Sequence, residues 1–289
     1  MILTFQFPEQ QDFQFKMFRY PGGEVQVRLT ELAVRYLKKL NPETDNIIVV
    51  ARIQDGEIVS LAQLLDAIKS VTATDVQLIL PYLPYGRADR RFVDGDSDGL
   101  AVYGRLLGMM AYDIVTLDAH SPKAVRNIRH LLDVSPRPII EQVLQMIPGS
   151  TNILLPDKGA ARYGFGDLSA EKQRDPATGK LSGFKVPPKE AFGADNILII
   201  DDICDGGGTF IGIADALRAS GNTLPLYLYV THGIFSQGIG ELLHRFEHIY
   251  TTDSFNNEPW NSNRLTRIPC ALTIVSAIKN RSQNDIRRP

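Results

Sequence analysis

The sequence predicts an α/β protein with mainly parallel, doubly wound sheets wrapped by helices. Three observations carry that expectation. Short apolar runs rich in β-branched residues alternate with segments of helical period. A chain of 289 residues suits two domains of roughly 140 residues each. The stretch Val134-Ser135-Pro136-Arg137-Pro138 sits near the middle as a natural joint. The expected domains are therefore 1–138 and 139–289.

Taken in order, the expected strands are Asn46–Ala51, Val76–Pro81, Asp113–Leu117, Asn152–Leu155, Asn196–Ile200, Leu226–Val230 and Leu272–Val275. The expected helices are Leu61–Lys69, Leu100–Ala111, Phe210–Ala219 and Ile239–Phe246, with Gly221 placed to cap the third. Asn46-Ile47-Ile48-Val49-Val50 recurs 150 positions later as Asn196-Ile197-Leu198-Ile199-Ile200. In the same register Ile53, Asp55 and Gly56 recur as Ile203, Asp205 and Gly206. Two duplicated halves are one reading of this echo. If so, only the second half carries acids after the strand: Asp201-Asp202 faces Ala51-Arg52. The segment Ala170–Pro188 has no sustained apolar period and reads as a flexible loop of the length that often forms a lid.

Composition narrows the functional class. Hydrophobic residues make up 44% and charged residues 22%, with a formal charge of -2. Such a balance gives no general pull towards nucleic acid or an anionic membrane. No run approaches the ~20 apolar residues that span a bilayer, and the apolar start Met1–Phe7 lacks a signal peptide's basic opening. Two distant cysteines, Cys204 and Cys270, form no disulfide framework. A cytoplasmic protein is expected, and the basic tail Arg281–Pro289 reads as a frayed end.

The strongest local signal is Ile199-Ile200-Asp201-Asp202-Ile203-Cys204-Asp205-Gly206-Gly207-Gly208-Thr209. A buried strand enters two acids, then a glycine turn, then a helix. Consecutive backbone N–H groups at a helix N-terminus hold a phosphate by hydrogen bonds and by the helix dipole. Thr209 adds a hydroxyl donor, and Asp201 with Asp202 suits the paired hydroxyls of a ribose. No Gly-Lys-[Ser/Thr] follows, which excludes a Walker loop. A plain β–α turn with solvated acids is the competing reading, disfavoured by the backbone entropy of three successive glycines.

Other expected strands end in polar chemistry. Leu117 leads into Asp118-Ala119-His120, and Leu155 into Pro156-Asp157-Lys158-Gly159-Ala160. Ligands of doubly wound sheets bind beyond the carboxyl ends of strands, and carboxylates there suit a hard divalent cation carried on phosphates. A lone His is commonly structural, but His120 stands beside Asp118 at a strand end. Arg87, Arg90 and Arg91 follow the turn Pro81–Gly86, where guanidinium groups can clamp phosphates; a solvated charged loop is the alternative.

Together these segments resemble the ribose-phosphate pyrophosphokinase (PRPP synthetase) family. Asp201–Thr209 is similar to its PRPP-binding loop, and Thr231-His232-Gly233-Ile234-Phe235-Ser236 to the segment after its next strand. Pro81–Arg91 resembles its Pro-Tyr-Ala-Arg-Gln-Asp-Arg region, Asp118-Ala119-His120 its Asp-Leu-His, and Pro156-Asp157 through Arg162 its Pro-Asp-x-Gly pyrophosphate loop. Lys172-Gln173-Arg174 resembles the Lys-x-Arg of its catalytic loop.

The resemblance implies two type I phosphoribosyltransferase domains and a Mg2+-dependent transfer of pyrophosphate from ATP to the C1 hydroxyl of ribose 5-phosphate, giving AMP and PRPP. It places Tyr20, Glu24, Arg87, Asp89 and His120 on ATP, and Asp157 and His120 at the metal. Asp201 and Asp202 fall on the ribose hydroxyls, with Asp205, Gly206, Gly207, Gly208 and Thr209 around the 5-phosphate. Lys172, Arg174 and His120 take the catalytic roles. A homo-oligomer, from dimer to hexamer, is implied as well.

The sequence also departs from the family. Gly22 stands where a polar Asp or Asn is usual, and Ala88 where Gln is usual. Both fall on the nucleotide side. The Gly206-Gly207-Gly208 loop stands where typical members carry a bulkier Asp-Thr-x-Gly-Thr, which leaves room for a larger acceptor such as ADP-ribose. A phosphoribosyltransferase consuming PRPP and a non-catalytic regulatory relative are the competing classes. The second half's acidic-glycine loop fits the former, whereas the ATP-type segments and retained Lys172, Arg174, Asp157 and His120 disfavour both.

Overall fold

Apolar runs bounded by turn residues become the inner strands of two parallel sheets, one in each half of the computed structural model. It describes residues 2–8, 14–54, 56–110, 112–166, 168–174, 181–255, 260 and 262–285, with backbone alone at 2, 3, 158, 174, 181, 182 and 279–285. Asp55, Ala111, residues 175–180 of the expected lid and the tail beyond 285 lie outside the described residues. The chain divides into two compact units, Met1–Val134 and Ser135–Pro289.

The first unit runs β1 (Ile2–Phe7), β2 (Phe15–Arg19), β3 (Val25–Leu29), α1 (Glu31–Leu37), β4 (Asn46–Ala51), α2 (Ile58–Lys69) and β5 (Val76–Leu80). It continues with α3 (Gly99–Met109), β6 (Asp113–Leu117), α4 (Pro122–Asn127) and β7 (Leu131–Val134). Its sheet has the order β1-β4-β5-β6-β7, parallel throughout. Strands β2 and β3 form a separate antiparallel hairpin. Helix α2 buries Leu61, Leu64, Leu65 and Ile68, the i, i+3, i+4, i+7 stripe of an amphipathic helix.

The second unit contains α5 (Arg137–Met146), β8 (Thr151–Leu155), a 3-10 turn at Lys158–Tyr163, β9 (Leu168–Ser169), β10 (Glu171–Arg174) and β11 (Leu181–Lys185). After a second 3-10 turn at Lys189–Ala191 come β12 (Asn196–Cys204), α6 (Gly208–Ala219), β13 (Leu226–Gly233) and α7 (Gly240–Leu243). The last elements are β14 (His248–Thr252), β15 (Leu265–Ile268) and α8 (Ala271–Asp285). The sheet order is β15-β14-β13-β12-β8-β9, again all parallel.

The two sheets differ in one respect that places the site. In the first unit the chain moves across the sheet in a single direction. In the second, β8 leads outward to β9, and the chain returns to the other side of β8 to lay down β12. Neighbouring strands β8 and β12 thus depart in opposite senses, opening the crevice in which α/β sheets bind ligands. Asp157 follows β8, and the acidic-glycine loop ends β12.

The internal echo extends beyond the strands that suggested it. Strand β4 opens at Asn46 and β12 at Asn196; α2 spans Ile58–Lys69 and α6 Gly208–Ala219; β5 opens at Val76 and β13 at Leu226. Each counterpart lies 150 positions on. Even the entry hydrogen bonds match, Ile47 N–H to Asp75 O and Ile197 N–H to Pro225 O, both 3.0 Å.

Two expectations are corrected. Leu272–Val275 is not a strand but the first turn of α8. An alternating strand would put Leu272 and Ile274 on one face, whereas Leu272 is 79% exposed and Ile274 2%. Ile274 N–H instead bonds back to Cys270 O at 3.1 Å, as a helix requires. A short apolar run does not itself distinguish helix from strand. The second correction concerns Ala170–Pro188. It is no structureless loop: β10 and β11 pair antiparallel, with Lys172 opposite Phe184. Helix 239–246 shortens to the single turn Gly240–Leu243, while Gly221 (φ +81°) caps α6 as expected.

Candidate active site

Strand β12 is buried from Asn196 to Ile200, the uninterrupted apolar run of a parallel strand covered on both faces. Momentum along that run carries Asp201 and Asp202 to its end. Asp202 is only 5% exposed. Its N–H donates to Asp201 Oδ1 at 2.9 Å, and its Oδ2 accepts from Arg162 Nη2 at 2.8 Å. Arg162 lies on the 3-10 turn after Asp157; its Nη2 also donates to the Tyr163 hydroxyl at 3.1 Å. This pair ties the two sides of the crevice together. Its value is positional, because removing Arg162 would leave the charge of Asp202 buried. Sequence reasoning assigned no role to Arg162, and 40 residues separate it from its partner.

Beyond Asp202 the chain turns through Cys204 and the glycines. Gly207 has φ +81° and caps α6, a conformation that penalises any Cβ. The other two glycines carry no such requirement. A methyl on Gly206 would meet Gln237 Cγ at 3.5 Å, ordinary contact, and one on Gly208 would meet nothing within 4 Å. Backbone geometry therefore explains one glycine of three. Nothing in the fold requires glycine at 206 or 208.

The loop is held by the segment that follows β13. Ile234 and Phe235 N–H bond to Cys204 O at 2.9 and 3.0 Å, and Ser236 N–H to Asp205 O at 3.1 Å. Cys204 itself is fully buried. Burial, then the charges of Asp201 and Asp205, push its thiol up to about 12 against the opposing Gly207 amide. It stays a neutral thiol and is no nucleophile.

The hairpin β10–β11 rises beside this loop. Lys172 Nζ lies 3.3 Å from Asp157 Oδ2, while Asp157 Oδ1 accepts the Gly159 N–H at 2.9 Å. Across the hairpin, Phe184 packs on α6 at Gly212; a methyl there would stand 2.4 Å from Phe184 Cε2. Lys172, Asp157 and the loop of Asp201–Thr209 thus belong to one unit and one end of its sheet. Arg174 contributes its backbone to β10, and its side chain lies outside the described residues.

Asp157 is a single carboxylate at a strand end, 46% exposed. Among the described residues no group of three or more His, Cys, Asp or Glu side chains could hold a metal. That donor set fits Mg2+ arriving on phosphates with its waters, rather than an all-protein cage.

The remaining candidates lie in the first unit. Tyr20 and Glu24 close the β2–β3 hairpin, Tyr20 N–H bonding Glu24 O at 2.9 Å and Gly23 N–H bonding Tyr20 O at 2.8 Å. Tyr20 is 52% exposed. A side chain at Gly22 would stand 2.7 Å from Glu24 Oε2, so the glycine accompanies the present position of that carboxylate. Arg87 follows the Tyr82–Gly86 turn, and a methyl on Gly86 would lie 3.3 Å from His120 Cβ.

Asp89, expected on ATP, faces inward. It is 5% exposed and accepts from Arg90 Nε at 2.8 Å and Ser121 Oγ at 2.8 Å. Lys123 Nζ donates to its carbonyl at 2.7 Å. The hydrogen bond from Arg90, then that from Ser121, hold its carboxyl below the ordinary value. Ser121 is the N-cap of α4 and follows His120 directly. Asp89 thereby braces the turn bearing Arg87 against the segment bearing His120.

No protein-family model matches the chain. Curated relatives do. A ribose-phosphate pyrophosphokinase of Thermococcus kodakarensis is 29% identical over 239 residues, covering 78% of this chain and 80% of its own. One from Methanopyrus kandleri is 27% identical over 282 residues, covering 91% and 89%. The chain is thus similar to ribose-phosphate pyrophosphokinases over most of its length. It is accordingly an enzyme of the diphosphotransferase class. The crystal structure of phosphoribosylpyrophosphate synthetase from Mycobacterium smegmatis shares its fold, with a TM-score of 0.76 at 18% identity over 98% of this chain and 99% of that one. Two α/β units with type I phosphoribosyltransferase sheets are thus the architecture of this chain. Among the described residues no helix is long and apolar enough to cross a membrane.

Proposed function

We propose that the enzyme transfers the β,γ-diphosphoryl group of ATP to the C1 hydroxyl of ribose 5-phosphate, releasing AMP and PRPP. One observation carries this reading: an acidic-glycine loop and a lysine-bearing hairpin share the carboxyl end of the second sheet, where its strand order reverses. The loop amides and Thr209 would hold the 5-phosphate at the α6 N-terminus. Asp201 and Asp202 would fix the 2- and 3-hydroxyls, with Asp202 oriented by Arg162. The C1 oxygen then attacks the β-phosphorus, the bond from that phosphorus to the α,β-bridging oxygen breaks, and the hydroxyl proton is released.

Charge on the transferring group needs preorganised donors. Lys172 would supply one by leaving Asp157 for a phosphate oxygen, and Arg174 is assigned beside it. Asp157 would hold Mg2+ in this unit, and the ion would supply positive charge to the phosphates. Tyr20, Glu24, Arg87 and His120 are assigned to ATP, with Asp89 bracing the turn that bears Arg87. A cytoplasmic homo-oligomer accompanies this reading, with neither nucleic acid nor membrane as a partner.

A second reading keeps the reaction and enlarges the acceptor to a ribose bearing a substituent on its 5-phosphate, such as ADP-ribose. The unforced glycines at 206 and 208 favour it. Incubation with ATP, Mg2+ and each acceptor, with products identified by mass, tests both. AMP with PRPP supports the first, and AMP with a pyrophosphorylated ADP-ribose supports the second. No AMP with either acceptor sinks the proposal.

A further inference from the structure

We infer that Trp260 forms an aromatic subsite for a nucleobase attached through the acceptor's 5-phosphate, an inference that rests on the second reading above. The chain contains a single tryptophan. It is half-buried against the core of the second unit. The edge of its six-membered ring covers Gly238, where a methyl would lie 3.3 Å from Cη2 and 3.5 Å from Cζ3. Gly238 follows Gln237, whose Cγ is the nearest neighbour of Gly206 in the phosphate loop.

The indole therefore stands one residue beyond the wall of that loop. The separation is on the order of 10 Å, since successive Cα atoms are ~3.8 Å apart. A diphosphate bridge with its second sugar covers a span of this order. Three features line the route. Gly206 and Gly208 are exposed and lack side chains without any conformational need, and Gln237 is exposed with an amide that can donate to a second phosphate. Ribose 5-phosphate alone would end at the loop and leave Trp260 untouched. Bases stack readily on aromatic side chains, and the contact tolerates any base because each presents a π-face.

With one tryptophan, emission excited at the red edge, where the tyrosines do not absorb, reports on this position alone. Titrating the wild-type enzyme with ADP-ribose should change the emission saturably, whereas ribose 5-phosphate should leave it unchanged. Trp260→Leu keeps an apolar side chain against Gly238 but offers no ring. It should raise the KM for ADP-ribose about tenfold, the lower range of base stacking, and leave the KM for ribose 5-phosphate within about twofold. Equal emission changes with both acceptors would overturn the subsite. So would ADP-ribose turnover with silent Trp260 and an unchanged KM ratio in Trp260→Leu, although the larger-acceptor reading would then survive. If ADP-ribose is neither turned over nor alters the emission, both fall together.

Discussion

Replacing the three loop glycines one at a time separates what the backbone needs from what a ligand needs. At Gly207, φ is +81° and a methyl would lie 3.3 Å from Leu242 Cδ2. Placing an L-residue in that region costs about 1–2 kcal/mol. For a unit of this size each kcal/mol moves the melting temperature by about 2–4 °C, so Gly207→Ala should melt roughly 2–8 °C lower. Gly206 and Gly208 are not in the left-handed region and have room for a methyl. Alanine there trims the freedom of the unfolded chain, worth about 0.4–1 kcal/mol, so both variants should melt at or slightly above wild type. Binding should move the other way. A methyl beside the loop amides keeps a phosphate from one of its hydrogen bonds, and a bond to a charged group is worth about 1.5–3 kcal/mol. The acceptor KM of Gly206→Ala and Gly208→Ala should rise at least about tenfold. Thermal melts paired with initial rates of AMP release across acceptor concentrations measure both quantities. Wild-type KM in both variants, or melting as low as Gly207→Ala, would refute the assignment of these glycines to ligand approach.

Three further outcomes follow from the same unit and its neighbour. Lys172→Ala should cut turnover about a hundredfold, the scale of one preorganised donor, while its half-exposed pair with Asp157 predicts little change in melting; single-turnover rates and melts decide it, and undiminished turnover would remove Lys172 from the chemistry. Gly212→Ala drives a methyl to within 2.4 Å of Phe184, which should destabilise by about 1–3 kcal/mol and lower turnover by unseating the hairpin; adding Phe184→Leu should restore much of both, and strictly additive effects in that double-mutant cycle would show that the two sites are not coupled. The carboxyl of Asp89 is held below its ordinary value, so its contribution to stability is complete above the unfolded value of about 3.9 and is lost as pH falls through the folded one. Melts of Asp89→Asn from pH 7 to pH 3 should start lower than wild type and fall less steeply, and a parallel fall would remove Asp89 from the acid limb.

Much of the architecture was legible because parallel strands buried on both faces write themselves as apolar runs. Asn46–Ala51 and Asp113–Leu117 emerged with the boundaries first read, and Asn196–Cys204 extends the run read as Asn196–Ile200. Leu272–Val275 misled for the same reason in reverse, since four apolar residues fit either period until their burial is known. The hairpin at Glu171–Lys185 escaped because its apolar anchor, Phe184, meets a partner on α6 rather than one within its own segment.

What the sequence by itself determined is the chemistry on offer: two acids, a glycine turn and a helix start, with carboxylates and cations after other strand ends. These are local properties, set by residue type and by backbone preference over a few positions. Tertiary structure alone decided which of them meet. It turned Asp89 inward onto Ser121, laid Arg162 on Asp202 and Lys172 on Asp157, and put Trp260 against Gly238 beside the loop. Contacts between residues 15 to 40 positions apart, as these side-chain bonds are, depend on strand order and on the point where that order reverses. No pattern along a single segment encodes that.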